Sequence, residues 1–121
     1  MGYHAPVDPS KIWGYINKTT TQSYDSVDAN STKTIDITTT KKQLIFLHIK
    51  FQATSTDSYV KIMKNVSGAW RTLLEKYADG THEIYINFID MLDEHGLHIV
   101  FHNAHSASKV YSYVLGRVDL E

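Results

Sequence analysis

The chain has 121 residues and no cysteine, and its 12 Lys and Arg residues nearly balance its 13 Asp and Glu residues, leaving a net charge of -1. The missing thiol excludes disulfides, cysteine-ligated metal centres and cysteine nucleophiles, and the lack of a basic cluster larger than Lys41-Lys42 removes any source of bulk attraction to nucleic acid or anionic lipid. The length is that of one domain and no apolar run is long enough to cross a membrane, so we expect neither a nucleic-acid nor a membrane partner.

Residues 1–18 hold both prolines, two of the six glycines and three aromatic residues, without a stable period. We interpret them as an N-terminal arm and residues 19–121 as one β-sandwich domain that folds without it. A free tail is normally poor in aromatic residues, so the arm is expected to bury its large side chains, either on its own domain or on a neighbouring subunit or scaffold. These side chains are Ile12, Trp13, Tyr15 and Ile16.

Between residues 33 and 118, apolar and polar residues alternate in short runs that end at turns rich in Gly, Asp, Asn and Ser. Runs that recur about every ten to twelve residues predict an antiparallel sandwich of two packed sheets. We expect seven strands and leave an eighth open. The predicted strands are an edge strand at 22–27, then 43–54, 59–64, 69–77, 83–89, 97–102 and 109–118.

The segment 43–54 is apolar on both of its faces, which is typical of a central strand. Its inward residues are predicted to be Ile45, Leu47, Ile49 and Phe51. In 109–118 we expect Val110 and Val114 to face the core. Tyr111 and Tyr113 then lie outside the sheet, where aromatic rings usually mark a contact.

The segment 69–77, AWRTLLEKY, is the one place where a helix competes, because Leu, Glu and Lys favour helices. Its nine residues lie between the turn-forming pairs Ser67-Gly68 and Asp79-Gly80, a spacing that fits a hairpin better, so we predict a strand. Within it we expect Trp70 in the core, because an indole ring is usually highly buried.

The second half of the chain has a recognisable order of features. A Trp-bearing strand (AWRTLL) is followed by an Asp-Gly turn, an amphipathic strand (HEIYINFI), a loop ending in Gly (MLDEHG), a further strand (LHIVFHN), a Ser/Ala-rich turn (AHSAS) and a closing aromatic strand (KVYSYVLGRV). This order resembles the jelly-roll modules of tumour-necrosis-factor-like and complement globular-head-like proteins. It is still more similar to those of tailed-phage virions, namely head-decoration, head-fibre and tail-tip proteins.

The resemblance implies an all-β jelly-roll sandwich that is not an enzyme and that assembles, usually as a trimer. It also implies that the N-terminal arm anchors the domain to a larger particle. We therefore expect a virion surface protein, located on the virion, whose partners are other copies of itself and a capsid or other virion protein.

Four histidines lie between residues 95 and 105, beside two acidic residues. On a strand, His98 and His102 would share a face but stand about 13 Å apart at ~3.3 Å per residue, too far to hold one ion. We therefore favour surface residues, or a contact sensitive to pH, over a metal site within one chain; a metal site between subunits stays open. Catalytic serine motifs and phosphate-binding glycine loops are absent from the sequence, so neither an enzyme nor a cofactor is expected.

The alternative function is a carbohydrate-binding module, because exposed aromatic rings can stack on sugar rings. The competing interpretation of the tyrosines is cross-strand pairing or subunit contact. An oligomer would hide these rings, whereas a monomeric lectin would expose them. The rings considered for sugar stacking are Tyr59, Trp70, Tyr85, Tyr111 and Tyr113. For the two functions together, the candidate binding residues are Trp13, Tyr15, Tyr85, Tyr111 and Tyr113.

Overall fold

A computed structural model describes residues 21–120. The candidate residues Trp13 and Tyr15, and the arm that contains them, lie outside the described residues. The described chain forms eight strands: β1 (Thr21–Val27), β2 (Ser31–Ile37), β3 (Gln43–Gln52), β4 (Tyr59–Val66), β5 (Ala69–Tyr77), β6 (Glu83–Leu92), β7 (Leu97–Asn103) and β8 (Lys109–Asp119). Over this range, no helix is long and apolar enough to pass through a membrane.

The strands form two four-stranded antiparallel sheets that pack as a sandwich. Sheet A has the order β1-β8-β3-β6 and sheet B the order β2-β7-β4-β5. Consecutive strands lie in different sheets except for β4 and β5, and this alternation gives the strand order of a jelly roll. The prediction of an all-β antiparallel sandwich is confirmed.

The hairpin between β4 and β5 decides between a helix and a strand for residues 69–77. Ser67 and Gly68 both have positive φ angles, 54° and 86°, the backbone that a two-residue hairpin turn requires. The side-chain oxygen of Asn65 accepts a hydrogen bond from the Gly68 amide at 3.0 Å. Residues 69–77 are therefore a strand, as predicted.

The core lies between the two sheets. As predicted, the inward face of β3 is fully or almost fully buried through Ile45, Leu47, Ile49 and Phe51. Sheet B faces it with Val60, Ile62, Ile99 and Phe101, which are equally buried. Because β3 lies between β8 and β6, both of its edges are hydrogen-bonded, and this satisfies its buried backbone groups.

The face assigned to Tyr111 and Tyr113 is wrong. Tyr111 is only 2 % exposed, and its ring stacks on Phe101 with centroids 4.4 Å apart. Tyr111 is the register partner of Phe51, and Tyr113 that of Ile49. Direct cross-strand partners share a face, so both tyrosines point toward the core, and burial raises the pKa of the Tyr111 phenol.

The strand β2 was not assigned from the sequence. Its segment STKTIDI is largely polar because it is an edge strand that pairs only with β7. Ile37 is buried and Ile35 packs partly against the core. Two inward side chains are enough to pack such an edge strand against the core. They are too few to produce a clear alternation of apolar and polar residues in the sequence.

Candidate functional site

The outer face of sheet B carries a cluster of aromatic and imidazole rings contributed by three adjacent strands. Cross-strand register brings these rings together, since residues far apart in the chain lie in common rows across β7, β4 and β5. We call this surface the aromatic face. It consists of Tyr59, Trp70, Tyr77, His98 and His102.

One stack runs straight across the sheet. The ring of Tyr59 lies between those of His102 and Tyr77, with centroid separations of 4.9 and 5.3 Å. The ammonium group of Lys61 lies 4.8 Å from the Tyr59 ring centroid, a cation-π contact. At the far end, Thr32 Oγ1 and His102 Nδ1 are 2.8 Å apart. Contacts with other residues therefore fix the Tyr59 ring at the centre of the row and the His102 ring at one end.

The second stack consists of Trp70 and His98. Their ring centroids are 3.5 Å apart and their planes differ by 13°. Trp70 belongs to β5 and His98 to β7, so the indole reaches across β4. The imidazole Nε2 of His98 is paired with the Asp36 carboxylate at 2.5 Å.

Gly96 lies in the turn before β7, next to the Trp70 ring. Gly96 has a φ of +82°, and a side chain there would begin 3.3 Å from the Ile37 carbonyl oxygen and 4.0 Å from the Trp70 ring. Any other residue would be strained at this φ and crowded by that carbonyl. Glycine at this position is therefore required by the backbone, whereas the Trp70 ring alone would leave an ordinary contact distance for a Cβ atom.

These rings remain accessible although they are stacked. Trp70 is 38 % exposed and Tyr77 is 48 % exposed, so the preferred interpretation of Trp70 as a core residue is wrong. Trp70 and Tyr77 each stack on one neighbouring ring and keep an exposed side. The face is therefore preorganised, and a partner that covers it would immobilise few additional side chains.

A second cluster lies on the outer face of sheet A. It contains Tyr85, the only exposed residue among the predicted site residues that lie within residues 21–120. Its hydroxyl donates a hydrogen bond to Glu83, and Lys50 forms an ion pair with the same carboxylate at 3.3 Å. The hydrogen bond from Tyr85 is the largest cause that lowers the pKa of Glu83 below its usual range, and the hydrogen bond from Lys50 is the next largest. The same pairings raise the pKa of Tyr85 and of Lys50.

Replacing Tyr85 with phenylalanine should raise the pKa of Glu83 toward its usual value, because the largest cause of the lowered pKa is removed. In the wild type, the stabilisation from this lowered pKa is present above the unfolded-state pKa of about 4 and is lost as the pH falls through the folded-state pKa. A carboxyl-carbon NMR titration of Glu83 measures the shift. Tyr24→Phe is the control, and an unchanged titration in Tyr85→Phe would contradict the prediction.

A shallow cleft of about 240 Å³ lies beside this cluster. It is lined by Gln52, Thr54, His82, Glu83 and Lys109. All five side chains are polar, whereas sites for small molecules are mostly apolar with a few placed polar groups. The Glu83 carboxylate in this cleft is already engaged by Lys50 and Tyr85, so it is not free to act as a base.

The histidines between residues 95 and 105 do not converge. His98 and His102 belong to separate stacks of the aromatic face, and His105 Nδ1 accepts a hydrogen bond from the Ala107 amide at 3.0 Å. His95 lies next to Glu94 at the turn before β7. Throughout residues 21–120, no three His, Asp or Glu side chains are grouped as metal ligands.

Of the predicted binding residues, the structure leaves only Tyr85 on a described surface, and it does not bring Tyr85 together with Tyr111 and Tyr113. The aromatic face as a cluster was missed. Tyr59 and Trp70 were weighed as rings for sugar stacking, and His98 and His102 were predicted as surface residues, but the sequence did not show that these four side chains lie together. The missing information was the register of β4 against β5 and β7.

No protein-family model and no curated protein matches the chain, so the resemblance to the jelly-roll families above stays untested. Among solved structures, the chain is similar to PliG of Aeromonas hydrophila, a periplasmic lysozyme inhibitor of g-type lysozyme. The identity is 13%, the TM-score is 0.49, and the match covers 82% of this chain and 86% of that one.

This comparison contradicts the prediction of a virion surface protein, because the structure found is a bacterial periplasmic inhibitor. The virion localisation is corrected with it, and the alternative of a carbohydrate-binding module has no support either. PliG itself is described as inhibiting another protein, g-type lysozyme; a protein partner for this chain is a proposal. Neither a trimer, a capsid partner nor a glycan is supported.

Proposed function

We propose that the protein is a non-enzymatic binding module that docks another protein on the aromatic face, and that a second copy of the chain is one such partner. The observation that supports this most directly is the pair of exposed ring stacks built around Trp70 and Tyr77. Tyrosine and tryptophan are enriched at protein interfaces and among the residues whose truncation weakens binding most.

The charges on this face favour a second copy as the partner. Lys61 and Glu75 are register partners on β4 and β5 and lie between the two stacks. A surface that carries both signs of charge beside exposed rings can complement its own copy across a two-fold axis, with lysine meeting glutamate and rings meeting rings.

Association through strand edges is less favourable than association through this face. On the β6 edge, the carbonyl oxygens of Tyr85 and Met91 accept hydrogen bonds from Lys76 and Lys64. The β4-β5 pair has a bulge at Leu73, where the register shifts. Lysines and bulges both protect sheet edges from pairing. The two remaining edges, β1 and β2, are short and largely polar.

The test is the oligomeric state of the purified protein as a function of concentration, measured by light scattering and analytical ultracentrifugation. We expect reversible self-association, weakened at least about tenfold by either Trp70→Ala or Tyr77→Ala, as for central interface aromatics. The far-ultraviolet circular dichroism of each variant should stay β-like, because both side chains lie on the outer face.

Tyr24→Ala is the matched control, because Tyr24 is an exposed tyrosine on the outer face of the other sheet. It should leave the association constant unchanged. A wild-type protein that stays monomeric at hundreds of micromolar would overturn self-association. In that case the stacks serve as cross-strand contacts, and Trp70→Ala would lower only the melting temperature.

A further inference from the structure

The outer face of sheet A changes from polar to apolar along its strands. Lys50 and Tyr85 lie toward one end, and an apolar cluster occupies the other. We call this cluster the apolar patch. It consists of Leu44, Phe46, Ile89, Met91, Gly116 and Val118, which register places in two adjacent rows across β8, β3 and β6.

The apolar patch is covered on one side and open on the other. On the edge strand β6, Ile89 is 59 % exposed. On β3, Phe46 points away from the core yet is only 8 % exposed, and its register partner Gly116 on β8 is also buried. Tyr85, an aromatic residue on the same face, is 48 % exposed. Whatever covers the patch therefore lies over β8 and β3 and does not reach β6.

The first described strand, β1, lies on that side of sheet A, next to β8. β1 begins at Thr21, whose register partner is Leu115. Continuing the ladder by one residue would place residue 20 beside Gly116. Because neighbouring strands are about 4.8 Å apart, the path from β1 across β8 to β3 is roughly 10 Å, within reach of three extended residues. Twenty residues precede β1, so the segment is long enough.

We propose that residues 12–16 of the same chain bind the apolar patch, with Trp13 lying over Phe46 and Gly116. Gly116 has no side chain, so a large ring can lie beside Phe46 without displacing a neighbour. The segment brings branched and aromatic side chains to the one outward surface of sheet A that matches them. This binding uses the sheet opposite the aromatic face and does not depend on the proposed self-association.

The experiment measures how accessible the Trp13 indole is to acrylamide. The chain has two tryptophans, so Trp70→Phe leaves Trp13 as the only one while keeping an aromatic ring on the opposite face. In the folded protein with residues 1–121, we expect blue-shifted emission and a quenching constant several-fold lower than in urea. Adding Phe46→Ala should raise that constant toward the unfolded value.

Ile89→Ala is the control, because Ile89 lies on the open side of the same patch and should leave quenching unchanged. If circular dichroism shows that Phe46→Ala does not fold, Leu44→Ala and Val118→Ala replace it. Free access of acrylamide to Trp13 in the folded chain would overturn the proposal, and so would protection that persists when the patch is truncated. Protection that disappears on dilution would assign the segment to a second copy and overturn binding within one chain.

Discussion

Replacing Phe51 with alanine should lower the free energy of unfolding by about 3 to 5 kcal/mol, the usual cost of truncating a buried phenylalanine. Phe51 is fully buried, its ring lies 5.5 Å from that of Phe101 in the opposite sheet, and it is the register partner of Tyr111. Removing it leaves a cavity between the two sheets, and the surrounding structure relaxes only partly around the gap.

Urea unfolding monitored by circular dichroism gives the change for Phe51→Ala. Tyr24→Ala removes another ring, but one that is 75 % exposed, and it should change stability by less than about 0.5 kcal/mol. Equal midpoints for Phe51→Ala and the wild type would show that the inward face of β3 is not the core.

Replacing Asn103 with aspartate should destabilise the protein by about 3 kcal/mol or more at neutral pH. Asn103 is fully buried, and its amide nitrogen lies 2.8 to 3.2 Å from the carbonyl oxygens of Val27, Asp28 and Ala107. Its side-chain oxygen accepts a hydrogen bond from the His105 amide. An aspartate would direct a carboxylate oxygen at three carbonyl oxygens.

The destabilisation by Asn103→Asp should depend on pH. Burial and the carbonyl oxygens favour the neutral carboxyl, which raises its folded-state pKa. The loss is therefore greatest above that pKa and shrinks as the pH falls toward about 4. Unfolding of wild type and variant at several pH values measures it. In the control, Asn65→Asp, the oxygen that accepts from Gly68 is kept, so the change should be small. A loss for Asn103→Asp that did not vary with pH would contradict this account.

The sequence was sufficient to predict which residues of a strand face the core where one face of that strand is strongly apolar and must be buried. Ile45, Leu47, Ile49 and Phe51 follow a strict period of two, and only one placement of the strand hides all four side chains. The same reasoning failed for 109–118 because both of its faces are apolar. Alternation groups Tyr111 with Tyr113, but it does not say whether the tyrosines or the valines point inward.

The aromatic face could not be predicted because it depends on register. A two-residue turn at Ser67-Gly68 with an uninterrupted ladder would place Tyr59 opposite Lys76. The bulge shifts the pairing by one residue and places Tyr59 opposite Tyr77 instead. Bulges are set by packing across the whole sandwich and leave little trace in the local sequence.

The position of β8 between β1 and β3 has a consequence for the order in which the molecule can form. A ribosome releases β1 and β3 long before residues 109–119. Until then, the position between β1 and β3 in sheet A stays empty. Among neighbouring strands only β4 and β5 can pair as they appear, because every other consecutive pair belongs to different sheets. The chain must therefore close a loop over most of its length before β8 can pair with β1 and β3. The entropy cost of that closure makes folding slow. Until β8 arrives, the strand edges that flank its place are exposed to other nascent chains.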